Sequence, residues 1–163
     1  MFTARSGTVL LIAIVVLALD QISKCAALAL LNEHVPLDVA AMLALRLGYN
    51  TGISFGMFAS DSATNRLVLI AVTALVTALV LIYALRSRDK LERAGLAAIV
   101  GGAAGNLTDR IHRGRVTDFI DVHIAQWHWP AFNLADTAIC LGVMSLIWAA
   151  LRGQVGQERK EVL

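Results

Sequence analysis

The sequence predicts an all-α membrane protein, a bundle of four transmembrane helices with a small sheet packed on the membrane surface. Composition is the first reason: of 163 residues, 58% are hydrophobic and 16% charged, with a mean hydropathy of +0.69, an unusual balance for a soluble domain. The second is length. Four stretches, residues 7–31, 67–85, 91–107 and 134–151, approach the ~20 apolar residues a helix needs to cross a ~30 Å hydrocarbon core. The third is the partial alternation of Leu43 to Tyr49 in the first of the two longer segments between spans, 32–66 and 108–133, which is consistent with a short strand of a small sheet on the membrane surface. The whole chain, 1–163, reads as a single integral membrane domain.

In the first span Arg5 precedes an apolar run that ends near Ala27-Leu28-Ala29, a pattern a cleaved signal peptide would share. Asp20, Gln21 and Lys24 fall between the apolar run and that site, and three further spans follow, so a retained helix is expected. Asp20 and Lys24 are four apart and share a helix face as an acid and base. An ionisable group costs ~2.5–3.5 kcal/mol at a span's centre, but these lie toward the outer end, where solvation is cheaper. A structural pair and a functional one both remain open.

Leu43 to Tyr49 alternates partially, as a short strand does, and Asn50-Thr51-Gly52 reads as a turn. The loop Arg86 to Arg93 is dense in positive charge, and Arg5, Arg152, Arg159 and Lys160 flank the chain's ends; the positive-inside bias puts all three regions in the cytoplasm. Segments 32–66 and 108–133 then lie outside, with Arg110, Arg113 and Arg115 expected to pair with Asp109, Asp118 and Asp121. In the third span Gly101, Gly102 and Gly105 form a small-residue surface for close helix approach. Gly102, Asn106 and Arg110 recur every four residues and put an amide and a guanidinium on one face, with Asp109 placed to orient Arg110. Cys25 and Cys140, inside helices, are expected to behave as small buried hydrophobes. A net charge of +2 without interleaved aromatics argues against nucleic acid.

Asp118 lies between apolar neighbours in Val116-Thr117-Asp118-Phe119, and alone it reads as a partner for Arg115 or Arg110. Asp136 lies three residues after Asn133, an N-cap and first-turn acid by ordinary helix rules. Together they suggest more. Two carboxylates brought close in a low-dielectric site cannot both ionise, so one proton is shared: one group deprotonates water while the other protonates a peptide carbonyl. The scheme needs no metal or cofactor, and His112, His123 and His128 read as scattered surface or interfacial residues. Asp121, three residues from Asp118, is the internal rival.

Five blocks, Asp20-Gln21-Ile22-Ser23-Lys24, Asn50 to Gly56, Gly101 to Arg110, Val116 to Phe119 and Phe132 to Asp136, resemble in order the motifs of bacterial lipoprotein signal peptidase, also called signal peptidase II. The likeness covers nearly the whole chain. It implies that Asp118 and Asp136 are the catalytic pair, that Asn50, Gly102, Asn106, Arg110 and Asn133 line the substrate pocket, and that Asp20, Lys24 and Asp109 support the site. It also implies a β-cradle around Asn50 and, as substrate, a prolipoprotein carrying diacylglyceryl on its cysteine and cut just before it. Further expectations are a monomer in contact with membrane lipid in the bacterial inner membrane, both termini cytoplasmic, sensitive to peptide antibiotics such as globomycin. Two other function classes compete: a small carrier of hydrophobic cations, which would hold its acid near the midplane, and a non-catalytic scaffold, which has no use for paired polar faces.

Overall fold

The computed structural model describes residues 4–52 and 62–161, with side chains over 5–52 and 62–152. Ile53 to Gly56, the second half of the Asn50 motif, lie outside the described residues. Four long helices and four short strands follow in the order α1 (Ala4–Leu30), β1 (Leu37–Ala40), β2 (Leu43–Asn50), α2 (Ala63–Arg86), α3 (Lys90–Arg113), β3 (Val116–Ile124), β4 (Trp127–His128) and α4 (Leu134–Glu161). Every expected span is a helix. The helices overrun the apolar stretches because hydropathy marks where lipid contact ends, whereas caps decide where the backbone stops. Ser62 caps α2 by accepting from the Asn65 N–H, and Asp89 caps α3 by accepting from the Leu91 and Glu92 N–H groups.

Three helices, over Arg5–Leu30, Ala63–Arg86 and Leu134–Arg152, are long and apolar enough to cross a membrane. Their outward residues, among them Leu11, Ile14, Leu67, Leu75, Met144 and Trp148, are at least half exposed, a surface suited to lipid and not to water. α3 is different. It touches each of the other helices, and its glycines let α1 and α4 come close. A Cβ on Gly101 would lie 2.6 Å from the Ala13 carbonyl oxygen of α1, one on Gly105 would overlap the Asp20 carboxylate, and one on Gly102 would lie 2.5 Å from the Ala135 carbonyl oxygen of α4. These pairings also set direction: α1 runs parallel to α3 and α4 antiparallel. Cys25 and Cys140 are exposed on the helix surfaces, so the expectation that they are buried is corrected.

The sheet has the order β1-β2-β3-β4, all antiparallel. The alternating segment forms β2 as expected, but the cradle is not built from the first polar segment alone. β3 pairs with β2 from Leu43↔Val122 to Asn50↔Val116, so the second polar segment supplies half of the sheet. The helices dominate as expected, and the small sheet, four-stranded, caps one end of the bundle.

Candidate active site

Asp118 reaches the site through a short series of local constraints. Gly114, at φ 76°, ends α3 in the left-handed conformation that glycine adopts without steric cost, and the chain turns directly into β3. The Ile120 N–H then donates to the Phe132 carbonyl at 2.9 Å and the Phe132 N–H to the Ile120 carbonyl at 3.1 Å. That stitch brings β3 beside the start of α4. Asn133, next in sequence, caps α4: its Oδ1 accepts from the Asp136 N–H at 3.0 Å, while Asp136 Oδ2 accepts from the Asn133 N–H at 3.2 Å. This reciprocal capping box fixes Asp136 in the first turn.

The remaining donors of the two amides join the carboxylates. Asn133 Nδ2 donates to Asp118 Oδ1 at 2.6 Å and to Asn106 Oδ1 at 3.2 Å, and Asn106 Nδ2 donates to Asp136 Oδ1 at 2.9 Å. Asp118 and Asp136, 18 positions apart in sequence, thus share one hydrogen-bonded cluster. Asp118 is 5% exposed. Burial, and then the charge of Asp136, push its carboxyl up to about 7, against the opposing pull of the Asn133 hydrogen bond and the charges of Lys24 and Arg110. A carboxyl poised there exchanges its proton near neutral pH, as acid–base catalysis requires.

A fully buried set of charges stands behind the pair. Lys24 Nζ lies 2.8 Å from Asp20, 3.2 Å from Asp109 and 3.0 Å from Asn106 Oδ1, and Lys24, Asp20 and Asp109 are all 0% exposed. The idea that the pair in α1 is cheaply solvated is therefore corrected: its charges are satisfied by protein. Asp20 Oδ1 accepts from the Ala135 N–H at 2.9 Å, capping α4 from a second helix, and Asp109 Oδ2 accepts from the Thr117 N–H at 3.0 Å, anchoring β3 next to Asp118. Gln21 Nε2 reaches Asp20, the Gly105 carbonyl and Asp109, a supporting role that a polar residue beside an acid does not announce in sequence.

Of the three arginines expected to pair with nearby aspartates, Arg113 does so and Arg110 and Arg115 take other partners. Asp109 binds Arg113, not Arg110. Arg110 donates from Nη2 to the Gly52 carbonyl at 2.6 Å and so holds the end of the β2 segment against α3. Arg115 lies over the Tyr49 ring at 3.5 Å, and Asp118 has an amide partner where an arginine was expected. Asp121 has Arg46 at 3.4 Å and His128 at 2.9 Å and takes no part in the cluster around Asp118. Among the pocket candidates, Asn106 and Asn133 join the cluster, Asn50 Oδ1 accepts from the Gly52 N–H at 2.8 Å beside the Arg110 contact, and Gly102 serves the α3·α4 approach. The histidines are not all scattered: His123 and His128 are cross-strand partners beside Asp121, a neighbourhood that only strand pairing creates.

The chain is similar to known proteins over most of its length. The family model for signal peptidase (SPase) II matches residues 12–152. A lipoprotein signal peptidase of Polynucleobacter necessarius is 43% identical over 150 residues, 91% of both chains, and one of Anaplasma phagocytophilum is 42% identical over 138 residues, 85% of this chain and 88% of that one. The solved structure of a bacterial membrane enzyme at 2.3 Å resolution superposes with a TM-score of 0.80 at 26% identity, covering 91% of this chain and 90% of the other. Long apolar helices and a matching peptidase family define the class, a multi-pass membrane peptidase. Within it, the chain belongs to the signal peptidase II family.

Proposed function

We propose that the protein is an aspartic endopeptidase that removes the signal peptide from diacylglyceryl-modified prolipoproteins by cutting just before the lipidated cysteine, with Asp118 and Asp136 as its catalytic pair. The observation that carries this reading is the amide bridge: Asn133 holds Asp118 at 2.6 Å while its own backbone and Asn106 hold Asp136. The pair carries one shared proton, and the raised carboxyl of Asp118 favours Asp118 as its holder in the resting enzyme. Ionised Asp136 takes a proton from water, the water oxygen attacks the scissile carbonyl carbon, and Asp118 gives its proton to the carbonyl oxygen. The resulting diol collapses as Asp136 passes its proton to the amide nitrogen and Asp118 recovers one from a hydroxyl. The C–N bond breaks, and the shared proton is restored.

Asn50, Gly102, Asn106, Arg110 and Asn133 line the substrate channel in this scheme, and Asp20, Lys24 and Asp109 hold it in shape. α3 completes a four-span bundle, the Arg86 to Arg93 loop and both termini lie in the cytoplasm, and the sheet end faces outward from a bacterial inner membrane. The enzyme works as a monomer among membrane lipids, and peptide antibiotics of the globomycin type compete with substrate. Purified protein in detergent, incubated with a lipid-modified precursor, should release a shortened product, and Asp118→Asn and Asp136→Asn should each abolish release while leaving insertion and yield intact. Turnover retained in either variant removes that residue from the pair. Loss of turnover on chelation, restored by zinc, would replace the scheme with a metallopeptidase.

A further inference from the structure

At the far end of β3 lies a second cluster of groups that the proposed reaction does not use. Asp121 and His123 are two apart on β3 and so share a face of the strand, and His128 of β4 is the direct cross-strand partner of His123. The carboxylate and the two imidazoles bring one ligand atom each to within 4.8 Å of one another. Asp121 is 1% exposed, and both of its oxygens lie at 2.9–3.0 Å from His128 Nδ1. The rings of His123 and His128 stack at 5.1 Å. His123 Nδ1 is shut off from solvent and has no hydrogen-bond partner among the described residues, an unmet demand that independently points to a missing ligand.

We propose that Asp121, His123 and His128 form a binding site for a divalent transition-metal ion of the zinc class, which ties β4 to β3. Two imidazoles and a carboxylate are a donor set that zinc accepts, with water completing the tetrahedron. Zinc–ligand bonds of ~2.0–2.1 Å put tetrahedral ligand atoms ~3.3 Å apart, so the Asp121 to His128 spacing already suits the ion and the longest separation closes by ~1.5 Å of side-chain rotation. The ion takes the place of the direct contact between His128 Nδ1 and the Asp121 carboxylate. Arg46 Nε, 3.4 Å from Asp121 Oδ2, is the competing cation, and its 45% exposed side chain is free to swing into solvent. Asp118 is three residues from Asp121 and therefore points to the opposite face of β3, so the ion sits apart from the catalytic pair and serves stability.

Zinc titration by calorimetry, and cobalt titration followed by the d–d absorption of a tetrahedral site, test this on detergent-purified full-length protein carrying a tag free of histidine. One equivalent should bind and raise the melting temperature. His123→Ala and His128→Ala should each weaken binding at least ~10-fold, and Arg46→Ala should strengthen it. Both histidine variants should still cleave precursor at the wild-type rate, which shows that they fold and separates this site from the catalytic reading. Absence of saturable binding by the wild type, or binding that survives in either histidine variant, would overturn the proposal.

Discussion

Lys24 is the residue on which the buried charges balance, and replacing it with methionine tests the arrangement most sharply. Asp20 and Asp109 supply two negative charges, and Lys24 and Arg113 two positive ones, so the cluster sums to zero. Lys24→Met keeps most of the volume but leaves two carboxylates with one guanidinium, and Arg113 reaches only Asp109. Removing one partner of a buried pair costs ~3–5 kcal/mol, and Lys24 serves two carboxylates, so the upper end applies. Asp20→Asn costs less, ~3 kcal/mol, because Lys24 retains Asp109 and the amide oxygen can still accept from the Ala135 N–H. In the double variant neutrality returns, with Asp109 and Arg113 as a complete pair. The double variant should therefore be more stable than Lys24→Met alone. At ~2–4 °C per kcal/mol for a chain of this size, Lys24→Met should melt roughly 10–20 °C below wild type in one detergent, and adding Asp20→Asn should recover part of that loss. Strictly additive losses, or a Lys24→Met protein that melts with the wild type, would refute the charge balance.

The raised carboxyl of Asp118 links stability to pH with a definite sign. Its folded value of about 7 lies above the ordinary 3.8, so the native state holds an extra proton between those limits and stability falls as pH rises through that window. Asp118→Asn, neutral throughout, should flatten the slope and outlast wild type above pH 7 by up to ~4 kcal/mol, the gap closing toward pH 4; parallel melting curves against pH would contradict the shift. Gly102→Ala should lower the melting point by ~1–3 kcal/mol equivalent, since its Cβ meets the Ala135 carbonyl, whereas Gly7→Ala, with nothing within 4 Å, should be neutral or mildly stabilising. A precursor with diacylglyceryl on its cysteine should be cut far faster than the unmodified one in matched detergent, because ~0.8 kcal/mol per buried methylene holds the scissile bond at one depth; equal rates would leave only a general membrane peptidase.

What was legible in the sequence depended on whether the signal was local. Helices over the apolar stretches, the β2 alternation and the cap formed by Asn133 with Asp136 are encoded within a few residues, and each forms as read. The i, i+4 pair of Asp20 and Lys24 was also visible, but its burial was not, because the groups that enclose it, Asp109, Asn106 and Gly105, belong to another helix. Arginine partners failed for the same reason: proximity in sequence favoured Asp118 for Arg110 or Arg115, whereas strand pairing turns Asp118 toward Asn133 and sends Arg115 onto Tyr49. The β3 pairing itself was hidden because Val116 to Phe119 is buried at all four positions and shows no alternation.

The weak hydropathy of α3 follows from the same architecture. A helix that faces lipid must be apolar around most of its surface, since an unpaired polar group there has no partner, and α1, α2 and α4 are built in that way. α3 is surrounded by those helices, and its buried face carries Arg93, Asn106, Asp109 and Arg110 together with five glycines or alanines among its buried residues. Small residues let neighbours approach until backbone carbonyls nearly touch, and Asn106 and Asp109, each four residues after a glycine on the same face, then reach Asp136 and Lys24. Replacing the polar residues of α3 by leucine would raise its hydropathy while removing the amide and carboxylate that tie α1, β3 and α4 together. The departure of one helix from the membrane pattern is thus the consequence of putting a polar site inside an apolar bundle.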